Sequence, residues 1–436
     1  MMIPVPTCIN GTQQSTDGIA MSELNIFDRN CLDQVSQDFG TPCHVYDENL
    51  IRQRARKLNK AFAGVKNFKN FFAVKATPNP RIMQILKEEG MGMDCSSAAE
   101  LELCERLGIR GRDIMFTSNN TPDEEFVKSC SMGAILNIDD YEHITRLDVL
   151  EIKPELVSFR YLPNSSGEER QGNQIIGSPK ESKFGITDDR IFHCFAAMKK
   201  RNVKRFGLHT MLASNERNAA FFIETARIMF DLAKRISEHL SIDIEFINLG
   251  GGLGIPQHPT DSEIDIDLVG SEVGRLYTQY FHSEDGITPD IYMENGRYIT
   301  GPAGVLLTKV RHVTSKHKRF VGVDASMADF MRPALYKDYH HVTVLNDSKE
   351  LIKCDVTGSL CENNDKFAID RELPRCSRDD LLIIHDTGAH GYSMGFSYNG
   401  KTKSPEVLMR SKGEHFELEL IRRREQTSDL FATLDF

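Results

Sequence analysis

The chain has 436 residues, 40% of them hydrophobic and 27% charged, with a formal net charge of −10. That length suits two domains of ordinary size with a full core. The acidic balance, with both signs mixed along the chain, argues against nucleic acid and anionic membrane as main partners, and no apolar run approaches the ~20 residues that span a bilayer.

Met1–Met21 lacks the charged-then-apolar order of a signal peptide. Residues 1–23 read as a disordered lead, with the fold beginning near Leu24. The ten cysteines are scattered without a CxxC pair, and HExxH is absent, so no metal site is expected. Without a secretory signal the thiols are expected free, in a reducing, cytoplasmic compartment. Phe27–Tyr46 precede the first strong strand and are expected to lend a helix and a strand to a later domain.

Across residues 47–294, short apolar runs alternate with helical patterns. Candidate strands are Asn70–Lys75, Met91–Asp94, Asp113–Thr117, Ala134–Ile138, Leu156–Tyr161, Arg205–His209, Ile244–Leu249 and Asp290–Met293. The helices between them include Asn79–Glu89, Ala98–Leu107, Asp123–Cys130, Asp188–Lys200 and Asn218–His239. In Ala98–Leu107 the apolar residues Leu101, Leu103, Cys104 and Leu107 approach a 3.6-residue period, with Ser96 and Ser97 as caps and Gly108 as the stop. Such alternation implies a parallel sheet with crossover helices. Eight strands point to an α/β fold with a closed (β/α)8 TIM-type barrel; the alternative is an open doubly wound sheet. After Arg297 the runs Val305–Arg311, Phe320–Val323, Val342–Leu345, Cys354–Thr357, Leu381–His385 and Phe416–Ile421 are strand-like. Residues 295–436, with 24–46, therefore read as a second, mostly antiparallel β domain.

Barrel active sites lie at the C-terminal strand ends, where this assignment puts Lys75, Asp94, His209, Gly250 and Glu294. Strands are depleted in lysine, so Lys75 is either a surface cation at a strand exit or a placed amine. Gly250-Gly251-Gly252-Leu253-Gly254 fails the GxGxxG pattern because Ile255 stands at the third glycine. Three adjacent glycines bring backbone N–H groups close to a phosphate, or simply form a tight turn. Glu294 is either a carboxylate facing a pyridine nitrogen or an ordinary solvated one. His209 either stacks on a flat ring or is a satisfied barrel-top histidine. Cys361, next to Glu362, is a candidate proton donor or a small hydrophobe. The loops Asp386–Tyr392 and Tyr398–Gly400 carry turn chemistry. An amine, an imidazole, a glycine cradle and a carboxylate on one rim meet the needs of pyridoxal phosphate.

The motifs Phe-Ala-Val-Lys-Ala, Asp-Cys-Ser-Ser-Ala-Ala-Glu-Leu, Asn-Leu-Gly-Gly-Gly-Leu-Gly, Glu-Asn-Gly-Arg-Tyr, Gly-Ser-Leu-Cys-Glu-Asn-Asn-Asp and Asp-Thr-Gly-Ala-His-Gly together resemble the fold-type III pyridoxal-phosphate decarboxylases. These are the diaminopimelate, ornithine and arginine decarboxylases, related to alanine racemase. The resemblance runs from about Phe27 to the C-terminus. It is strongest to the diaminopimelate enzymes, near the D-lysine/D-ornithine decarboxylases. It implies that Lys75 holds pyridoxal 5'-phosphate covalently and that Asp94 also belongs to the cofactor site. His209 would stack on the ring, Gly250, Gly251, Gly252 and Arg297 would face the phosphate, and Glu294 would pair with the ring nitrogen. Arg332 and Tyr336, joined by Arg297 and Tyr398, would grip the substrate. Cys361 and Glu362 would come from the partner subunit of a homodimer with shared sites, Cys361 to protonate the product carbon and Glu362 to read the distal ammonium.

The chain departs from the family pattern at several points. Glu294-Asn295-Gly296-Arg297 replaces Glu-Pro-Gly-Arg, and Ser214 stands two residues later than the usual serine. His390 replaces the tyrosine of Gly-Ala-Tyr, leaving Tyr392 as the substitute phenol at the cofactor. Lys401 and Lys403 stand where arginines are common, and the two are not equivalent carboxylate grips. The expected reaction is decarboxylation of meso-2,6-diaminopimelate to L-lysine. D-lysine or D-ornithine is the alternative substrate, and a racemase or an inactive cofactor-binding paralogue is the more distant reading.

Overall fold

The computed structural model describes residues 27–163, 181–281, 288–412 and 415–436. The expected disordered lead, and Cys8 within it, lie outside the described residues. Eight parallel strands close into a barrel: Lys69–Ala73, Gly92–Cys95, Ile114–Thr117, Ile135–Ile138, Leu156–Tyr161, Arg205–Thr210, Ile244–Asn248 and Asp290–Met293. The first and last pair in register, Lys69 with Tyr292 and Asn70 with Met293, so the sheet has no edge and the open-sheet alternative falls.

Strand side chains alternate between faces, and the inward set explains both the barrel's plug and its chemistry. One inward layer brings together Phe71, Met115, Ile135, Leu156, Phe246 and Tyr292 as a separate apolar cluster. Phe246 and Tyr292 stack with ring centroids 4.8 Å apart, and Phe71 meets Tyr292 at 5.0 Å. Two strands contribute glycine to this layer because the aromatics need the space. A Cβ at Gly207 would sit 2.2 Å from Phe246 Cζ, and one at Gly92 would sit 2.5 Å from Phe71 Cδ1. Two residues further along, the inward positions turn polar on seven of the eight strands: Asp94, Thr117, Asn137, Ser158, His209 and Asn248, with Glu294 just past the last strand and Ala73 the exception on the first. Apolar filling below and polar groups above make one end of the barrel chemical.

The helices start where capping residues stop the backbone. Asp47 caps Glu48–Ala61 and Ser97 caps Ala98–Arg106, one residue shorter than expected. Asn79 caps Pro80–Glu88, accepting from Arg81 N at 3.0 Å while proline occupies the first turn, a position that needs no N–H donor. The first barrel strand ends at Ala73, not at Lys75. Lys75 lies in the single 3-10 turn Val74–Ala76, closed by Thr77 N donating to Val74 O at 3.1 Å. The residue before a proline is pushed to extended backbone, so Thr77-Pro78 stops the turn from growing into a helix.

The other sheet has nine strands, mostly antiparallel, with parallel pairs between Cys43–Asp47 and Glu406–Lys412 and between Arg319–Val323 and Leu351–Thr357. Helix Arg29–Asp38 and strand Cys43–Asp47 precede the barrel in sequence, and the strand sits centrally in this sheet, antiparallel to Gly304–Ser315.

Candidate active site

The barrel's polar end opens into a cavity of about 350 Å³ whose lining includes Lys75, Arg160, His209, Ser214, Glu294, Arg297, Arg332, Tyr336 and His390. Lys75 reaches it from the turn, its side chain half exposed, with Nζ 3.1 Å from Asp94 Oδ2. That turn is tied down on both sides. Thr77 Oγ1 bonds Thr300 Oγ1 at 2.9 Å and donates to Gly388 O at 2.7 Å. His390 N donates to Ala76 O at 2.8 Å. Asn79, the helix cap, donates to buried Glu406 at 2.9 Å, which also accepts from Tyr46 at 2.6 Å and from Arg422. Residues from both ends of the chain therefore hold the backbone that aims Lys75.

The charges at the barrel mouth shape one another. Asp94 and, after the opposing effect of burial, Glu294 favour the protonated amine, so the pKa of Lys75 is raised. Burial, then the neighbouring Glu294 charge, lifts the Asp94 carboxyl above its usual range against the pull of Lys75. Burial would raise Glu294 too, but His209, Lys75 and Arg160 together outweigh it and hold the carboxylate below its ordinary value. His209 is fully buried, with Nε2 3.0 Å from Glu294 Oε2. The other carboxylate oxygen accepts from Asn248 Nδ2 at 2.8 Å, and Asn248 Oδ1 accepts from Gly250 N at 2.9 Å. Asn248 thus aims the glutamate and shapes the glycine turn together. The sequence reading missed it, although it stands two residues after Phe246, inward on the same strand.

The glycines are needed for backbone proximity. Gly250 has φ +71°, and a Cβ there would lie 2.2 Å from Thr210 O; one at Gly251 would lie 2.2 Å from Glu294 O. Gly252 lines the cavity, as does Ser214 despite its later place in the sequence.

Beyond the glycines stand two guanidiniums. Arg297 opens the short helix Arg297–Thr300, and Arg332 opens Arg332–Tyr336; both are buried. Arg332 pairs with Asp338 and lies 4.9 Å from the Tyr336 ring centroid. Burial, then the like charge of Arg332, lowers the Arg297 pKa. Asp338 offsets one of these two buried charges, and the other favours an anionic group at this end. Arg160, which the sequence reading did not single out, enters from the fifth barrel strand, 3.3 Å from Asp139 and with Phe184 packed against its guanidinium.

Not every expected residue comes here. Tyr392, expected as the substitute phenol, does not line the cavity. Its ring packs against His44, Lys403 and Arg422, and His390 takes the cavity position instead. The difference follows from the backbone: His390 is left-handed at φ +56°, and Tyr392 begins the next turn. Cys361, Glu362 and Tyr398 are exposed and lie outside the cavity. The Cys361 and Tyr398 loops touch, with Cys361 N donating to Asn399 Oδ1 at 2.7 Å. Among the described residues no group of three or more side chains is arranged to hold a metal ion, and no helix is long and apolar enough to cross a membrane.

The groups present fit pyridoxal phosphate: an amine, a buried carboxylate, two arginines at one end, and buried His209 Nδ1 and Asp94 Oδ1 with no hydrogen-bond partner among the described residues. Residues 48–301 match the family described as the pyridoxal-dependent decarboxylase, pyridoxal binding domain. Protein TabA of Pseudomonas amygdali pv. tabaci is 41% identical over 399 residues, covering 91% of this chain and 92% of that protein. Diaminopimelate decarboxylase of Methanothermobacter thermautotrophicus is 35% identical over 405 residues, covering 91% and 92%. Among solved structures, diaminopimelate decarboxylase from Helicobacter pylori complexed with L-lysine superposes with TM-score 0.81 at 29% identity, over 92% of this chain and 98% of that one. Lysine/ornithine decarboxylase from Vibrio vulnificus, at TM-score 0.75 and 19% identity over 87% and 97%, shares the fold.

Proposed function

The chain belongs to the pyridoxal-dependent decarboxylases, and from that premise we propose that it converts meso-2,6-diaminopimelate to L-lysine and carbon dioxide. It is a carboxy-lyase that uses pyridoxal 5'-phosphate. Bound, that cofactor supplies an aldehyde that condenses with amines and a ring that accepts the electron pair freed when the Cα–carboxylate bond breaks.

The chain's own residues do the rest. Lys75 Nζ would supply the amine that holds the cofactor and gives way to the substrate amine, with Asp94 beside it as counter-charge. Glu294, fixed by Asn248 and His209, would present a carboxylate to the ring nitrogen and hold a proton there. His209, buried and lining the cavity, would pack against the ring. Gly250, Gly251 and Gly252 offer backbone N–H groups to the phosphate, with Arg297 supplying charge. Arg332 and Tyr336 orient the substrate. The observation that carries the substrate assignment is that Arg297 and Arg332 are both buried, yet line one cavity with Lys75. Two guanidiniums answer two anionic groups, a cofactor phosphate and a second carboxylate on the substrate.

A D-lysine or D-ornithine decarboxylase is the second reading, favoured by Asp338, which already pairs with Arg332. Carbon dioxide release from meso-diaminopimelate, D-lysine, D-ornithine and L-ornithine decides between them. Turnover is expected with diaminopimelate; an inert diaminopimelate beside an active D-diamine would reverse the assignment.

We assign a barrel to residues 47–294 and a β domain to 24–46 with 295–436. The active unit is a cytoplasmic homodimer in which each subunit completes its partner's site. Exposed Cys361, Glu362 and Tyr398 support this, since they carry site chemistry away from their own cavity.

The Lys75–Asp94 pair sets a pH dependence. Condensation needs the unprotonated amine, and the Asp94 charge favours the protonated one. In Asp94→Asn the amine should lose its proton more readily, so the pH midpoint of cofactor uptake, followed by absorbance, should fall by about one unit. A midpoint that stays or rises would mean that Asp94 does not set the amine's charge.

A further inference from the structure

His390 lines the cavity among cations from three separate elements: Lys75 on the turn after the first barrel strand, Arg297 on the helix after the eighth, and Arg332 on Arg332–Tyr336. Its backbone N–H is committed to Ala76 O, and its left-handed backbone belongs to a region that histidine enters more readily than most residues. The acids nearby are already engaged. Asp94 faces Lys75, Glu294 is bonded to His209 and Asn248, and Asp338 is bonded to Arg332. Burial, then the charges of Arg297, Arg332 and Lys75, pushes the imidazole pKa well below its ordinary value. Surrounded this way, the ring is neutral at neutral pH until a negative charge enters.

We propose that His390 is a proton acceptor linked to anion binding: an anionic group seated beside Arg297 and Arg332 draws one proton from solvent onto the His390 imidazole. Entry of the anion offsets the three cations, and the protonated ring then gives the anion a charged donor. Affinity for the anion therefore falls as pH rises. The proposal rests on the reading that the two arginines receive an anionic group, and it does not require that the substrate be diaminopimelate.

Sulfate is the suitable probe, because it stays a dianion across the working range and brings no titration of its own. Calorimetric titration of the cofactor-free full chain, in buffers of different ionisation enthalpy near neutral pH, should show uptake of about one proton per sulfate, with Kd rising by up to about tenfold per pH unit. His390→Asn tolerates the left-handed backbone and cannot take the proton, so its uptake should fall to near zero and its Kd should flatten against pH. No uptake by the wild-type chain, whatever the fate of the variant, or undiminished uptake in His390→Asn, overturns the proposal. Two further arms identify the natural occupant. Sulfate that slows pyridoxal-phosphate uptake points to the cofactor's phosphate; sulfate that raises KM of the loaded enzyme, without affecting uptake, points to a substrate carboxylate. Competition in neither arm also overturns it. A chain inactive on every amino acid would sink the proposed reaction and leave the sulfate result standing.

Discussion

Lys75→Ala is expected to lower decarboxylation by about three orders of magnitude or more while leaving the fold intact, since a covalent amine has no substitute nearby. The Lys75 side chain is half exposed, so its truncation opens no cavity in the core. The buried Asp94 carboxyl would lose its counter-charge, but its pKa is already raised, so it takes up a proton rather than unfolding the strand end. Lys75→Arg separates the two roles. It keeps a cation for Asp94 but has no free amine, and should be as inactive as the alanine variant. Thermal unfolding monitors the fold and carbon dioxide release the reaction. Borohydride treatment of the loaded wild-type enzyme should fix the cofactor on the peptide holding residue 75. A variant keeping a tenth of wild-type activity, or a label on another lysine, would remove Lys75 from its assigned role.

Mixing two inactive variants tests the shared site. Cys361→Ala should lose most product formation yet keep cofactor uptake, because the thiol lies outside its own chain's cavity. If each site takes Lys75 from one subunit and Cys361 from the other, random exchange between Lys75→Ala and Cys361→Ala subunits makes half the dimers mixed. Each mixed dimer has one intact site in two, so activity should recover to about one quarter of wild type. Sites built within one chain would recover nothing. The contrast is independent of substrate identity, since any turned-over amino acid reports it.

Much of the barrel was legible because strands obey a period of two. Tyr292 and Glu294, Phe246 and Asn248, Met115 and Thr117 each place a bulky inward residue two positions before a polar one. That pattern states both that the strand is buried and which end carries chemistry. Asn248 opens the glycine motif and is not itself one of its glycines, yet the same alternation marks it as inward and polar. Lys75 was expected to close a strand and instead occupies a turn, because the following Thr77-Pro78 and the bonds from Thr77 Oγ1 to Thr300 and to the Gly388 carbonyl bend the backbone earlier than the apolar run suggests.

The barrel class and the pyridoxal chemistry were legible in the sequence, the first from local periodicity and the second from motifs that resemble the decarboxylase family. The direction of loop side chains was not, because it depends on backbone contacts between segments far apart in sequence. His390 enters the cavity and Tyr392 leaves it through one left-handed residue, held by a bond to Ala76. Arg297 and Arg332 meet only when the barrel rim and the β sheet pack together, and burial of both charges in one place is a property of that packing.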